Sequence, residues 1–295
     1  MKLRMLKVCS FVVVILFLSN CGYETKHIKL GYKNIVEQYI IRELYTLLLQ
    51  NAGFEVEQVA GLEETPRLHP ALVDGTIDLY AEYTGTAARR ILGLTEPMSA
   101  DTTYAIVAEQ YLQDFGIMWL DPAPMNNTWA FAMNPTTANK LRIESISDMI
   151  DRAEELVVVG DVQFQADKDG IPGMQRTFGD FRFKRYIPVN SEDRYDAFLT
   201  SQADVVIAYA TDGELFAYQL KVLQDTTNFF PAYQPAPLLR EDTISRYPEI
   251  VPLLNRLAPL LTDTAMQQMN YEVSTNKREP VDVARAFLRE TGLLP

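Results

Sequence analysis

Asp78-Leu79-Tyr80-Ala81-Glu82-Tyr83-Thr84-Gly85-Thr86 is the stretch on which the fold of this chain turns. Ile77 to Ala81 reads as a strand that stops at a polar turn and hands over to a helix beginning near Ala87. Tyr83 and Thr86 then sit at the carboxyl end of a strand, where open α/β sheets hold their ligands. The pattern returns later: Ala71, Asp78 and Tyr83 recur at one constant offset as Ala197, Asp204 and Tyr209. Both segments run helix, strand, tyrosine, threonine-bearing turn. Two such units predict two lobes that face one ligand.

The flanking sequence continues the same rhythm. Ile28 to Tyr32 alternates as a strand, and Lys33-Asn34 opens a helix to about Asn51 whose Ile40, Ile41, Leu44, Leu47 and Leu48 have the spacing of a buried face. Phe54 to Val59 reads as the next strand, followed by a helix to Val73. Strand, helix, strand, helix, strand is the order of a parallel sheet with crossover helices. Ser99 to Phe115 reads as a helix and Thr128 to Met133 as a strand. Asn134-Pro135-Thr136-Thr137 breaks the pattern and reads as a crossing into a second lobe. There Leu156 to Val159, Phe183 to Val189 and Val205 to Tyr209 are the expected strands, and Phe229 to Tyr233 the return. From Thr243 onward the chain reads as helical over about 244–261, 263–270 and 281–290, a tail of the kind that packs back on a first lobe.

The first twenty residues differ from the rest. Lys2, Arg4 and Lys7 precede an apolar run from Val8 to Leu18, too short to span a bilayer comfortably and matching the core of a secretory signal. It ends in Leu18-Ser19-Asn20-Cys21-Gly22, which resembles a bacterial lipobox, so residues 1–20 are expected to be removed and Cys21 lipidated, with 21–27 as an anchored leader. Asn20 departs from the usual glycine or alanine. Loss of Cys9 with the signal leaves Cys21 alone, so no internal disulfide is expected. Two histidines and one spent cysteine give no zinc site of the usual kind, and no cofactor is expected. Hydrophobic content of 47% and charged content of 22% are those of a globular protein. The net charge of −12, without a basic block, argues against nucleic acid as a partner and is compatible with a cationic ligand.

Aromatic residues stand at the strand ends and crossings: Tyr83, Trp129, Tyr209 and Tyr233. Each alone reads as core or interface packing rather than ligand contact. Together they suit a quaternary ammonium group, which has no N–H to donate and is attracted instead by ring faces. Gly31-Tyr32-Lys33-Asn34, Glu82 to Thr86, Trp119 to Pro124, Asn126-Asn127-Thr128, Ala208 to Gly213 and Phe230 to Tyr233, in that order, resemble the substrate-binding lipoproteins of osmoprotectant importers of the ATP-binding cassette type. These take up glycine betaine, choline and carnitine. The resemblance runs from about Lys29 to Leu294. It implies an α/β, two-lobed fold of the periplasmic-binding-protein kind (type II), with two parallel-type sheets, flanking helices and a hinge. Lobe 1 is expected to comprise residues 28–128 and 231–295, and lobe 2 residues 129–230.

The resemblance further implies an aromatic cage of Tyr83, Trp129, Tyr209 and Tyr233, with Trp129 where tyrosine is usual. Lys33 and Thr86 match positions that hold the polar end of the ligand. Asp167 stands where betaine binders carry an arginine able to grip a carboxylate with two hydrogen bonds. A cleft-facing Asp167 favours a ligand such as choline; a solvated Asp167, or Lys168 shifted into the role, leaves glycine betaine equally in place. The implied partners are a small quaternary ammonium ligand, a membrane permease and, through Cys21, the membrane on its outer side. An enzyme is disfavoured: there is no glycine-rich phosphate loop, no Gly-x-Ser-x-Gly elbow and no His-Glu-x-x-His. A sensor that docks on a receptor and a binder of an ordinary amino acid are the other readings.

Overall fold

A computed structural model describes residues 25–94, 96, 98–166 and 170–295. The expected signal segment, Cys21 and Asp167 lie outside these residues. Among the described residues no helix is long and apolar enough to cross a membrane.

Among the described residues ten strands form two five-stranded sheets. The first sheet contains β1 (Lys26–Gly31), β2 (Phe54–Val59), β3 (Leu79–Tyr83), β4 (Ile117–Trp119) and β10 (Pro235–Arg240), in the order β2-β1-β3-β10-β4. The second contains β5 (Trp129–Met133), β6 (Val157–Asp161), β7 (Arg185–Val189), β8 (Val205–Tyr209) and β9 (Lys221–Val222), in the order β7-β6-β8-β5-β9. The expected two-lobed α/β architecture is present, but the sheets are mixed rather than purely parallel. β10 runs antiparallel to β3 and β4, and β5 antiparallel to β8 and β9. Each of these two strands enters its sheet from the other one, and so runs against the strands built by crossover helices.

The internal repeat has a structural basis. Asp78 Oδ2 accepts the Lys29 amide at 2.9 Å while its own amide donates to the Lys29 carbonyl at 2.8 Å. Asp204 does the same with Val157, at 2.9 and 2.8 Å. Each aspartate thus clamps the neighbouring parallel strand and sets the register that carries Tyr83 and Tyr209 to corresponding strand ends. Each tyrosine then lies opposite the first residue of an incoming antiparallel strand, Pro235 for Tyr83 and Trp129 for Tyr209.

The break at Asn134 is a helix start, not a crossing. The Asn134 side chain accepts the Thr136 amide at 2.9 Å and caps the helix Pro135–Leu141, with proline at a position where no amide is needed. The chain crosses earlier: the Asn127 amide donates to the Tyr233 carbonyl, and Thr128 Oγ1 to the Pro231 carbonyl, so outgoing and returning segments lie side by side. The expected helix over 244–261 is broken into Glu241–Arg246, Ile250–Asn255 and a short 3-10 turn, because Pro248 forces Tyr247 out of the helical region. The C-terminal helices pack, as expected of the tail, on the helix Val36–Asn51, burying Leu254, Met266, Val283 and Leu288 with Ile40, Leu44 and Leu48.

Candidate functional site

A cleft of about 850 Å³ is lined from both sheets. Tyr83, Thr86, Lys33, Trp129, Tyr209 and Tyr233 all contribute to it, so six of the seven ligand-site residues picked from sequence share one cavity. The seventh, Asp167, is not among the described residues.

Trp129 and Tyr209 are directly opposed on β5 and β8, and their rings stack at a centroid distance of 4.3 Å and an interplanar angle of 23°. The stack covers one face of each ring, so the pair forms a single aromatic wall rather than two opposed ones. Phe164 packs against Trp129 in a T-shaped contact, with ring centroids 5.1 Å apart. The guanidinium of Arg194 lies 5.1 Å from the Tyr209 ring centre and pairs with Asp212 at 3.0 Å. Asp212 also accepts the Tyr209 amide and the Tyr195 hydroxyl, which fixes the turn after β8.

Tyr83 ends β3 and is only 5% exposed. Its hydroxyl donates to Glu37 Oε1 at 2.5 Å. Burial, reinforced by the Glu37 charge, raises the Tyr83 phenol well above its ordinary range, so it stays neutral and donating. Tyr233 reaches the same region from the returning segment, held by a 2.6 Å bond from its amide to Asn126 Oδ1. Glycine is required at Gly85 for this approach. A Cβ there would lie 2.6 Å from the Ala232 carbonyl oxygen and 2.9 Å from the Tyr233 ring.

Lys33 does not stand free as a carboxylate grip. Its ammonium pairs with the buried carboxylate of Glu82 and lies 4.9 Å from the centre of the Tyr83 ring. Glu82 is fully buried, and its second oxygen accepts the Thr65 hydroxyl at 2.8 Å, with the Tyr80 hydroxyl at 3.4 Å. Oε1 also accepts the Tyr83 amide at 2.7 Å. A buried carboxylate so fully bonded satisfies the lysine and the turn together. Glu82 is therefore the group that holds Lys33 and the end of β3 in place.

Glu37 was not visible as a site residue in the sequence. It is 4% exposed at the start of the helix Val36–Asn51 and lines the cleft. Besides the Tyr83 hydroxyl, its Oε1 accepts Asn127 Nδ2 at 3.1 Å. Burial raises its pKa above the usual carboxylate range, opposed by hydrogen bonding from Tyr83, Thr211, Asn127 and Asn270. The available signal was spacing: Glu37 stands three and four residues before Ile40 and Ile41, on the buried stripe of its own helix.

Residues 26–290 match the family described as the substrate-binding domain of the ABC-type glycine betaine transport system, and the chain belongs to that family. It is 30% identical over 286 residues to the carnitine transport binding protein OpuCC of Listeria monocytogenes, covering 94% of this chain and 92% of that one. It is 31% identical over 271 residues to the ergothioneine transport permease/ergothioneine binding protein EgtU of Helicobacter pylori, covering 92% of this chain but 48% of the relative. Among solved structures, one described as a glycine betaine/carnitine/choline ABC transporter superposes with a TM-score of 0.86 at 27% identity, over 91% of this chain and 99% of that one. The chain is thus a substrate-binding protein of a transport family whose members act outside the cytoplasm.

Proposed function

We propose that this chain captures a quaternary ammonium compound between its two lobes, residues 28–128 with 231–295 and residues 129–230, and delivers it to a membrane permease driven by a separate ATPase. On this reading Tyr83, Tyr233 and the Trp129–Tyr209 wall receive the ammonium head, Thr86 meets its polar end, and the lobes close because the ligand touches both. Cys21 anchors the protein to the outer side of the membrane. The chain acts as a binder, not a catalyst.

The observation that carries the reading is the convergence of four aromatic side chains, from both sheets and the returning crossing, on one cleft. Ring faces attract a cation by about 0.5–1 kcal/mol when exposed and about 2 kcal/mol or more when desolvated. The named ligands of the relatives, carnitine and ergothioneine, both carry a trimethylammonium group, as does choline.

Titration calorimetry of the purified protein with choline, glycine betaine, carnitine, ergothioneine and proline tests this. Saturable heat is expected with at least one of the trimethylammonium compounds and none with proline. Heat with proline alone, or with none of the five, would refute it.

A further inference from the structure

Two buried acceptor atoms on residues that line the cleft lack a hydrogen bond of good geometry. Glu37 Oε1 is taken by Tyr83 and Asn127, whereas Glu37 Oε2 has no hydrogen-bond partner of good geometry. Asn270, 9% exposed on the helix Asp263–Ser274, donates its Nδ2 to the Thr211 carbonyl at 2.8 Å. That bond fixes the amide so that Oδ1 is the atom left over, and Oδ1 too is unpartnered. Both residues line the cleft, and the Thr211 and Asn270 side chains both stand close to Glu37. Two acceptor atoms without a well-placed donor, on residues that line one cleft, ask for a ligand donor.

The charges around them point the same way. Among the described lining residues, carboxylates outnumber cations. Of the two cations, Lys33 is bound to Glu82 and Arg90 stands exposed. A ligand carboxylate placed near Glu37 would face a second, buried carboxylate.

We infer that Glu37 and Asn270 form a subsite for a hydrogen-bond donor, so that the preferred ligand carries a hydroxyl or N–H group close to its quaternary ammonium rather than a carboxylate. This rests on the quaternary-ammonium reading above and names the chemistry at the ligand's second end. Because the Tyr83 hydroxyl donates to Glu37, the subsite lies at the phenol tip of a cage ring, within reach of a short substituent on the ammonium. A site built to accept a proton rejects analogues that cannot give one, since its buried acceptors then stay unpaired.

Three probes separate the possibilities: choline, its O-methyl ether, and tetramethylammonium as the head group alone. Wild-type protein is expected to bind choline at least about tenfold more tightly than the ether. Glu37→Gln keeps an oxygen for Tyr83 and Asn127 but puts an amide N–H₂ where Oε2 stood. The preference of the variant for choline over the ether should then fall below about threefold or reverse, and this ratio is the readout. Asn270→Ala, which removes only the second acceptor, should narrow the preference without abolishing it. Equal wild-type binding of choline and its ether would overturn the subsite while leaving the cage intact. An equal loss for all three probes in Glu37→Gln would overturn it as well, making Glu37 a general charge. If none of the three binds wild-type protein, the quaternary-ammonium reading itself fails.

Discussion

Glu82→Ala should lower the free energy of unfolding by about 3–5 kcal/mol, the range found when one partner of a buried ion pair is removed. The carboxylate is fully buried, and it is the acceptor for the Lys33 ammonium, the Thr65 hydroxyl and the Tyr83 amide together. Its loss leaves a cation and two donors without their acceptor in a largely buried place. Urea denaturation of the two proteins measures the difference. Adding Lys33→Met to Glu82→Ala should recover a good part of the loss, because the unpaired charge is then gone. A single-mutant loss below about 1 kcal/mol would mean that the pair lies in a more solvated setting, of the kind where ion pairs contribute little.

Tyr83→Ala should weaken binding of a quaternary ammonium ligand by about 1–2 kcal/mol, roughly five- to thirtyfold in affinity. The ring is oriented by its hydroxyl bond to Glu37 and by its backbone at the end of β3, so it presents a fixed face. Tyr83→Phe keeps the face and removes only the hydroxyl. It should therefore bind tetramethylammonium within about threefold of wild type, the phenyl face retaining the cation–π attraction. Calorimetry on the folded variants reads this directly. Unchanged affinity in Tyr83→Ala would assign Tyr83 to packing alone.

Much of this was legible in the sequence because alternation and repetition encode it. The stretch Asp78 to Thr86 and its echo around Asp204 to Tyr209 carry an aspartate that clamps the neighbouring strand, and that clamp is a local, short-range device. β10 was not legible. Pro235 and Pro237 argue against a strand interior, since proline cannot donate to a ladder. Their carbonyls accept from Ala123 and Leu120, so their nitrogens face the segment after β4, which asks no donor of them. A single sequence cannot show which side of a strand will be left without a partner.

The same limit applied within the site. The aromatic residues could be picked out because four of them fell at strand ends and crossings. Glu37 and Asn270 could not, because each looks like an ordinary polar residue on a helix until Tyr83, Asn127 and Thr211 are brought to it from distant parts of the chain. Lys33 matches a position for the polar end of the ligand, but its pairing with Glu82, 49 positions away, depends on β3 lying beside β1.

Tryptophan fluorescence offers the most direct test that the ligand enters between the lobes. The chain has two tryptophans, of which Trp119 is buried in the first sheet's core and Trp129 lines the cleft. Titration with the quaternary ammonium compound that gives calorimetric heat should produce a saturable change in emission at the same midpoint. Trp129→Phe should abolish that change while keeping a measurable heat of binding. Emission that stays flat while the protein saturates, or a change that persists in Trp129→Phe, would place the ligand elsewhere.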